Sequence, residues 1–292
     1  MKISNHTEAL EARFGALSAV RMNLEAGFEA IDYSMYNGDE AVFSAGGVLL
    51  ARELKRLAAS YGAVFNQAHA PFTRFKIGAE NNDYNRALYY SVLKGIDIAG
   101  ELGAGVIVVH PAVICPCLSA DDRFEMNMEF YSKILPRAKN LGVKIAIENL
   151  WTRHKDNSER IVKSVCSDAA ELMRYVDGMA DPSVVACLDI GHAGLVGESA
   201  DAMIRALGSR IGALHINDND FIKDKHFMPY TCGVNFDRVI RALVSVGYKG
   251  DITLESNYFL STFPDALVPA GLAFMAKTAG YIRDEVNKGY MK

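Results

Sequence analysis

The sequence predicts an α/β protein folded as a closed (β/α)8 barrel, the TIM-barrel class. Two observations carry this prediction. Short apolar runs typical of buried parallel strands alternate with amphipathic helical segments along the chain, giving eight strand-helix units. Six of these runs end in a histidine, aspartate or glutamate, which fits a barrel better than an open sheet that gathers its ligand at one switch point. Since no linker or composition break interrupts the pattern, we expect residues 1–292 to form a single domain.

The helices follow from apolar residues at helical spacing, begun by aspartate or serine and ended by glycine. They are predicted at 16–27, 48–62, 82–103, from Asp121 or Asp122 to Gly142, 169–179 after Ser167 and Asp168, 199–209, 236–247 and from about 265 to 286.

The strands lie between these helices. A short first strand is predicted at 1–4 and a second in the run 29–35. The remaining six runs each deliver a polar side chain at the C-terminal end, namely His69, His110, Glu148, Asp189, His215 and Glu255. The polar stretch 152–158 is too charged to be buried, so we expect it to form a loop over the strand ends.

Composition narrows the classes of function. The 31 basic and 35 acidic residues give a formal charge of -4, which argues against nucleic acid as the partner. No apolar run approaches the roughly 20 residues of a membrane span, and the N-terminal residues lack a secretory pattern. We therefore expect a cytoplasmic protein without membrane contact, and homo-oligomer formation is left open.

The five cysteines do not suggest a disulfide framework. They are odd in number and scattered, and the Cys115-Pro116-Cys117 pair has one intervening residue rather than the two of common redox or metal motifs. We interpret this pair as ordinary thiols in a loop.

Four strand ends form the most informative constellation. Glu148, Asp189, His215 and Glu255 end four successive strands, 41, 26 and 40 residues apart. In a barrel these neighbours converge on one side of the mouth. Three carboxylates and an imidazole suit a divalent cation such as Mn²⁺, Mg²⁺, Co²⁺ or Zn²⁺. The four residues are therefore predicted to form a metal site.

A further group of polar residues surrounds this site. Five histidines fall at or just beyond strand ends, whereas His6 and His154 do not. His192 follows Asp189 across a glycine that would allow a sharp turn, and Asp224 and His226 are two apart in an extended loop. The outer residues that could bind substrate hydroxyls or additional metal are His69, His110, His192, Asp224 and His226.

The order of these residues along the chain resembles that of the xylose isomerase-like barrels. It runs His69, His110, Glu148, Asp189, His192, His215, Asp224, His226 and Glu255. These barrels include sugar and sugar-phosphate isomerases and epimerases, inositol-catabolism enzymes and apurinic-site endonucleases. In the epimerases, the residues that match Glu148, Asp189, His215 and Glu255 hold one metal ion, and the two glutamates also move protons. The resemblance implies the same roles for these residues here. In the endonucleases, the positions matching all nine residues hold three zinc ions. The loop 227–240 also resembles the isomerases, although Tyr230–Cys232 alters its usual glycine-rich form.

The leading hypothesis is therefore a divalent-metal-dependent isomerase or epimerase of a small sugar, sugar phosphate or cyclitol. A cation stabilises the enediolate while Glu148 or Glu255 removes the proton and the other returns it. Trp151, the one tryptophan, either floors the sugar ring or packs on the barrel rim. The alternative is a trinuclear zinc phosphodiesterase of the apurinic-site endonuclease type.

Overall fold

The predicted barrel is confirmed. The computed structural model describes residues 1–36, 43–256 and 258–291. In these residues eight parallel strands form one sheet, in which the last strand pairs with the first and the others follow in chain order. They are β1 Ile3–His6, β2 Ala30–Ser34, β3 Val64–His69, β4 Val106–Val108, β5 Lys144–Glu148, β8 Val184–Asp189, β9 Ile211–His215 and β10 Ile252–Leu254.

The sheet closes between β9 and β10. A parallel bridge joins Ile216 to Leu254, and the backbone N–H of Ile216 donates to Thr253 at 2.9 Å. Glu255 in turn donates its N–H to the Ile216 carbonyl at 3.0 Å, so the backbone of this candidate ligand takes part in closure.

The described ranges contain helices that surround the barrel strands, most of them on the outside. They are α1 Glu8–Phe14, α2 Ala16–Glu25, α3 Gly47–Ser60, α4 Asn82–Leu102, α5 Ala120–Asn140, α6 Ala169–Gly178, α7 Ile190–Leu195, α8 Ala200–Leu207, α9 Phe236–Ser245 and α10 Val268–Tyr290. Most predicted helix ends lie within two or three residues of these bounds. Within the described ranges, no helix meets the length and hydropathy that a membrane span requires.

The barrel interior explains why polar side chains collect at one end. Val108, Ala146, Val185, Cys187 and Ala213 form a small apolar cluster inside the barrel. Because side chains alternate along a strand, residues two positions further on β5, β8 and β9 point to the same interior. These residues are Glu148, Asp189 and His215. The predicted ligands therefore lie directly above the apolar cluster, at the C-terminal mouth.

Two predictions about secondary structure are wrong, namely the bounds of the first strand and the loop at 152–158. The first strand occupies Ile3–His6 rather than residues 1–4, which places His6 at a strand end after all. The polar stretch 152–158 is not a loop, because β6 Trp151–His154 and β7 Asn157–Lys163 pair as an antiparallel hairpin outside the barrel. Pairing between the two segments satisfies their backbone groups without burying their charged side chains.

The interpretation of Cys115 and Cys117 as ordinary thiols is also wrong. The two residues form a disulfide, with Cα atoms 5.2 Å apart. One intervening residue is enough to bring the Cα atoms into the range that a disulfide requires.

Gly191 serves a different purpose from the predicted sharp turn. Asp189 caps the short helix α7, and its Oδ1 accepts from the His192 N–H at 2.6 Å. Gly191 lies inside that helix, where a Cβ atom would come within 1.8 Å of Asn217 Oδ1. The glycine is needed because Asn217, which donates to Asp189 at 2.8 Å, occupies the space beside it.

We expect Gly191→Ala to lower the free energy of unfolding by about 1–3 kcal/mol, since the added methyl group must displace Asn217. Gly280→Ala is the matched control. Its Cβ would meet only Arg283 at 3.9 Å, so that variant should gain about 0.5–1 kcal/mol from helix propensity. Urea denaturation of both variants measures the difference. Equal stabilities for the two variants would contradict the packing account.

Candidate active site

The C-terminal mouth of the barrel contains a cleft of about 460 Å³. The structure brings the predicted site residues together around it. Those that line the cleft are His69, His110, Glu148, Trp151, His192, Asp224, His226 and Glu255. Asp189 and His215 lie beneath them and are fully buried.

Glu148 lies at the centre of the buried groups. Its Oε1 is 2.8 Å from His215 Nδ1, and its Oε2 is 2.7 Å from His110 Nε2. Glu255 Oε2 approaches the same His215 nitrogen from another strand, at 3.1 Å. The two glutamates therefore meet at one imidazole edge.

The four residues predicted as metal ligands fit a divalent cation. Glu148, Asp189, His215 and Glu255 each offer one ligand atom, and the four atoms lie within 4.8 Å of one another. Such atoms are within reach of one ion that bonds nitrogen and oxygen at about 2.0–2.6 Å. Glu255 Oε2 is buried, and no described residue gives it a well-directed hydrogen bond. A buried carboxylate oxygen in this state is the kind of atom that a cation would satisfy.

Asp32 and Gln67 support His215, and the sequence reasoning missed both. Asp32 Oδ2 lies 3.3 Å from His215 Nε2 and accepts from Gln67 Nε2 at 2.8 Å. A carboxylate behind an imidazole fixes its orientation and leaves the opposite nitrogen for a ligand. The signal was present in the sequence, because Asp32 interrupts the apolar run 29–35.

Asp189 is held by two asparagines that follow strands. Asn149 Oδ1 accepts from the Asp189 N–H at 2.7 Å, and Asn217 Nδ2 donates to Asp189 Oδ2 at 2.8 Å. These bonds leave little freedom in the position of the carboxylate. Neither asparagine was predicted as a site residue, although each follows a predicted strand end directly or after one residue.

Three outer histidines share one arrangement. Each has its Nδ1 near a backbone carbonyl oxygen: His69 at 2.8 Å from Ala70, His192 at 2.9 Å from Asn149 and His226 at 2.9 Å from Glu255. If Nδ1 donates to that carbonyl, Nε2 becomes an acceptor that faces the site. The arrangement suits either a metal ion or a substrate hydroxyl.

The outer residues also form two further groups with ligand atoms within 4.8 Å. One contains His69, His110 and Glu148, and the other Asp189, His192 and His226. Asp224 lies beside the second group, with Oδ1 2.9 Å from His226 Nε2. The cluster therefore has the donors for more than one cation.

Burial and charge shift the proton affinities in opposite directions. Burial raises the pKa of Asp189 to about 6, although His192 and His226 oppose it. Burial alone would lower the pKa of His192, but Asp189 and Asp224 outweigh it and raise that pKa to about 10. For His110 burial prevails and lowers the pKa. Burial opposes ionisation of Glu148, yet His215 and His110 hold its pKa well below the usual range.

Asp218 organises the loop that carries Asp224 and His226. Its carboxylate is buried and accepts from four backbone N–H groups, those of Asn219, Thr231, Cys232 and Val234, at 2.7–3.1 Å. The loop also holds Phe221, His226 and Tyr230 at positive φ of 61°, 41° and 71°. Such backbone conformations persist where surrounding contacts fix them, and Asp218 supplies many of those contacts.

His6 and Tyr36 are further residues that the sequence reasoning did not place in the site. His6 is buried at the end of β1, with its ring centroid 5.8 Å from His69 and 6.0 Å from His215. Tyr36 lines the cleft and lies edge-on to His69 at 5.5 Å. Tyr36 lies just beyond a strand end, and that position could have identified it. His6 could have been identified in the same way if the first strand had been predicted to end at residue 6.

Trp151 lies at the start of the hairpin and is half-buried on the cleft wall. Its Nε1 donates to Asp224 Oδ2 at 3.0 Å, which fixes the indole beside the outer histidines. The residue is thus both packed on the barrel rim and exposed to the cleft.

This fold and the set of strand-end residues define a class of barrel. Residues 20–278 match the family model described as the xylose isomerase-like TIM barrel. The chain belongs to that family, as its residues predicted.

Relatives and solved structures are similar to the chain at low identity. It is 27% identical over 192 residues to an uncharacterized protein of Methanocaldococcus jannaschii, covering 64% of the chain and 63% of that protein. It is 24% identical over 163 residues to fructoselysine 3-epimerase of Shigella flexneri, covering 55% of each. A D-tagatose 3-epimerase-like protein aligns with TM-score 0.78 and 20% identity over 99% of both chains. D-psicose 3-epimerase aligns with TM-score 0.73 and 16% identity, covering 98% and 99%.

We expect Asp218→Asn to lower the free energy of unfolding by about 1–3 kcal/mol and to increase hydrogen exchange of the amides in 219–234. An asparagine offers one acceptor oxygen, so its NH₂ group must face backbone donors that Asp218 now binds. Asp156→Asn, at an exposed turn of the hairpin, is the matched control. Exchange rates in 219–234 equal to the wild type would show that Asp218 does not hold the loop.

Proposed function

We propose that the protein is a divalent-metal-dependent isomerase or epimerase of a small sugar, sugar phosphate or cyclitol. In this proposal Glu148, Asp189, His215 and Glu255 hold the cation, which is Mn²⁺, Mg²⁺, Co²⁺ or Zn²⁺. The fructoselysine 3-epimerase among the relatives and the epimerases that share the fold support this class of reaction. The partner would be a carbohydrate rather than a nucleic acid.

One observation carries the proposal. Of the four candidate ligands, both glutamates line the cleft, whereas Asp189 and His215 lie beneath it. Glu148 and Glu255 can therefore touch a substrate while all four residues share one cation. Since β5 and β10 are separated by two strands of the barrel, the two carboxylates approach the cleft from different directions. That is the arrangement that proton removal and return on two faces requires.

A bound cation would lower the free energy of the enediolate by offsetting its developing negative charge. Glu148 would remove the proton from the carbon beside the carbonyl, and Glu255 would return one, or the roles would be reversed. His110 Nε2, 2.7 Å from Glu148 Oε2, is placed to stabilise the carboxylate or share its proton. The low pKa of Glu148 keeps its carboxylate ionised near neutral pH, which is the form that a general base requires.

The outer residues would position the substrate. His192 and His226 present Nε2 to the cleft because their Nδ1 atoms face backbone carbonyls. Trp151 offers an apolar face to a sugar ring, and its bond to Asp224 prevents it from turning away. His69 and His110 would contact the remaining hydroxyls or hold the base.

A trinuclear zinc phosphodiesterase of the apurinic-site endonuclease type is the second candidate. The three neighbouring groups of metal donors favour it, since several cations could activate water and neutralise a phosphate. The net charge of -4 argues against a DNA-binding surface. Incubation with an abasic DNA duplex in excess Zn²⁺ tests it directly, and strand cleavage at the abasic site would favour this candidate.

We expect Glu148→Gln to keep the fold and to slow solvent-deuterium exchange into ketose substrates by about 10²–10⁴-fold, because the base is lost while the side-chain shape is retained. Proton NMR of a panel of ketoses and ketose phosphates in D₂O, with Mn²⁺ added, measures the exchange. Glu159→Gln, exposed on β7, is the matched control and should exchange at the wild-type rate. Full exchange by Glu148→Gln would remove Glu148 from the mechanism.

A further inference from the structure

The cleft has a second lobe that extends beyond the residues of the proposed chemistry. A cavity of about 360 Å³ shares six lining residues with the main cleft, namely Tyr36, His110, Trp151, Arg153, His192 and Asp224. The two spaces therefore meet at the site residues. The second lobe extends away from them along the segment that follows β3 and along the hairpin.

Two arginines line this second lobe. Arg74 lies at its exposed outer end, and Arg153 lies between the two lobes with its guanidinium carbon 5.5 Å from the centroid of the Trp151 ring. Guanidinium groups bind phosphate and carboxylate oxygens through planar, paired donors. The lobe thus presents two cationic side chains, of which Arg153 also lines the main cleft.

Both arginines stand on fixed backbone. On either side of Arg74, Phe72 donates its N–H to the Tyr36 carbonyl at 3.0 Å and Phe75 donates to Ala112 at 2.8 Å. Arg153 pairs with Ile161 across the hairpin. Neither Cα position depends on a long unsupported loop, so both guanidinium groups start from defined places.

The other walls of the second lobe are apolar and suit the carbon chain of a substituent. Phe72, Ile114, Leu150 and Trp151 contribute apolar surface. Among the described residues that line the lobe, the one carboxylate is Asp224, which lies at the inner end and contacts Trp151 and His226. These apolar walls can pack against the carbon chain of a substituent whose charged end reaches Arg74 at the exposed end of the lobe.

We propose that the second lobe binds an anionic substituent, a phosphate or a carboxylate, of a sugar whose reacting carbons lie beside Glu148 and Glu255. The assignment of the sugar rests on the proposed function. Arg74 determines the preference for the anion, while Arg153 lies over Trp151 and contacts the chain between the reacting carbons and the charge. The substrate class is therefore a charged sugar derivative rather than a free ketose.

Calorimetric titration with three polyols tests the subsite. Sorbitol, gluconate and sorbitol 6-phosphate lack the ketose carbonyl, so binding requires no turnover. They are titrated into protein purified without added metal. We expect at least one of the two anions to bind about tenfold more tightly than sorbitol. Preference for sorbitol 6-phosphate identifies a phosphate subsite, and preference for gluconate a carboxylate subsite.

Variants localise the preference. Arg74→Gln should abolish most of the discrimination between the preferred anion and sorbitol. Arg56→Gln is the matched control, because it removes the same charge from an exposed position on α3, which leads to the opposite end of the barrel. It should retain the wild-type discrimination.

Equal affinities for the three polyols, no measurable binding of any of them, or undiminished discrimination in Arg74→Gln would overturn the subsite. These failures are distinct from failure of the proposed function. A protein that exchanges the protons of neutral ketoses without any anion preference refutes the subsite alone. Anion binding that depends on Arg74, in a protein that exchanges no ketose or ketose phosphate protons, refutes the isomerase alone.

Discussion

The buried Glu148 carboxylate contacts the histidines on which the rest of the candidate site depends. One oxygen faces His215, which Glu255 also contacts, and the other faces His110 and, at 3.5 Å, His69. A carboxylate removed from water must be paired, and removing one partner of a buried pair leaves a costly uncompensated charge. His69, His192, His215 and His226 have raised pKa values because buried carboxylates lie beside them, even though burial itself opposes protonation. A cation that took over this pairing would displace protons from the imidazoles, so metal binding and protonation compete at the same positions.

The rest of the fold places the partners of Glu148. Strand alternation puts Glu148, Asp189 and His215 above the apolar interior, and closure of the sheet sets the backbone of Glu255. The outer residues depend on a separate device, since Asp218 fixes the loop that carries Asp224 and His226. Trp151 connects the hairpin with this loop, because it starts the hairpin and donates to Asp224. A rigid barrel thus supplies the central groups, and anchored loops supply the groups that would meet the substrate.

Much of this could be predicted from the sequence because it depends on local patterns. Apolar runs that end in His69, Glu148, Asp189 and His215 mark strand ends, and the parallel barrel brings such ends together. Contacts between distant segments could not be read in the same way. Asp32 supports His215 from another strand, and the hairpin exists because 151–154 pairs with 157–163 rather than because either segment alternates. The second lobe with Arg74 likewise depends on how separate loops lie relative to each other.

The number and position of the cations bound per chain test the proposed four-ligand metal site. Elemental analysis of protein purified without added metal, together with anomalous diffraction at the manganese and zinc edges on crystals of that protein, would count and locate them. We expect one fully occupied site ligated by Glu148, Asp189, His215 and Glu255, because three carboxylates attract a cation most strongly and need no deprotonation near neutral pH. Three fully occupied sites that recruit His69, His192 and His226, or no metal between the two glutamates, would contradict it.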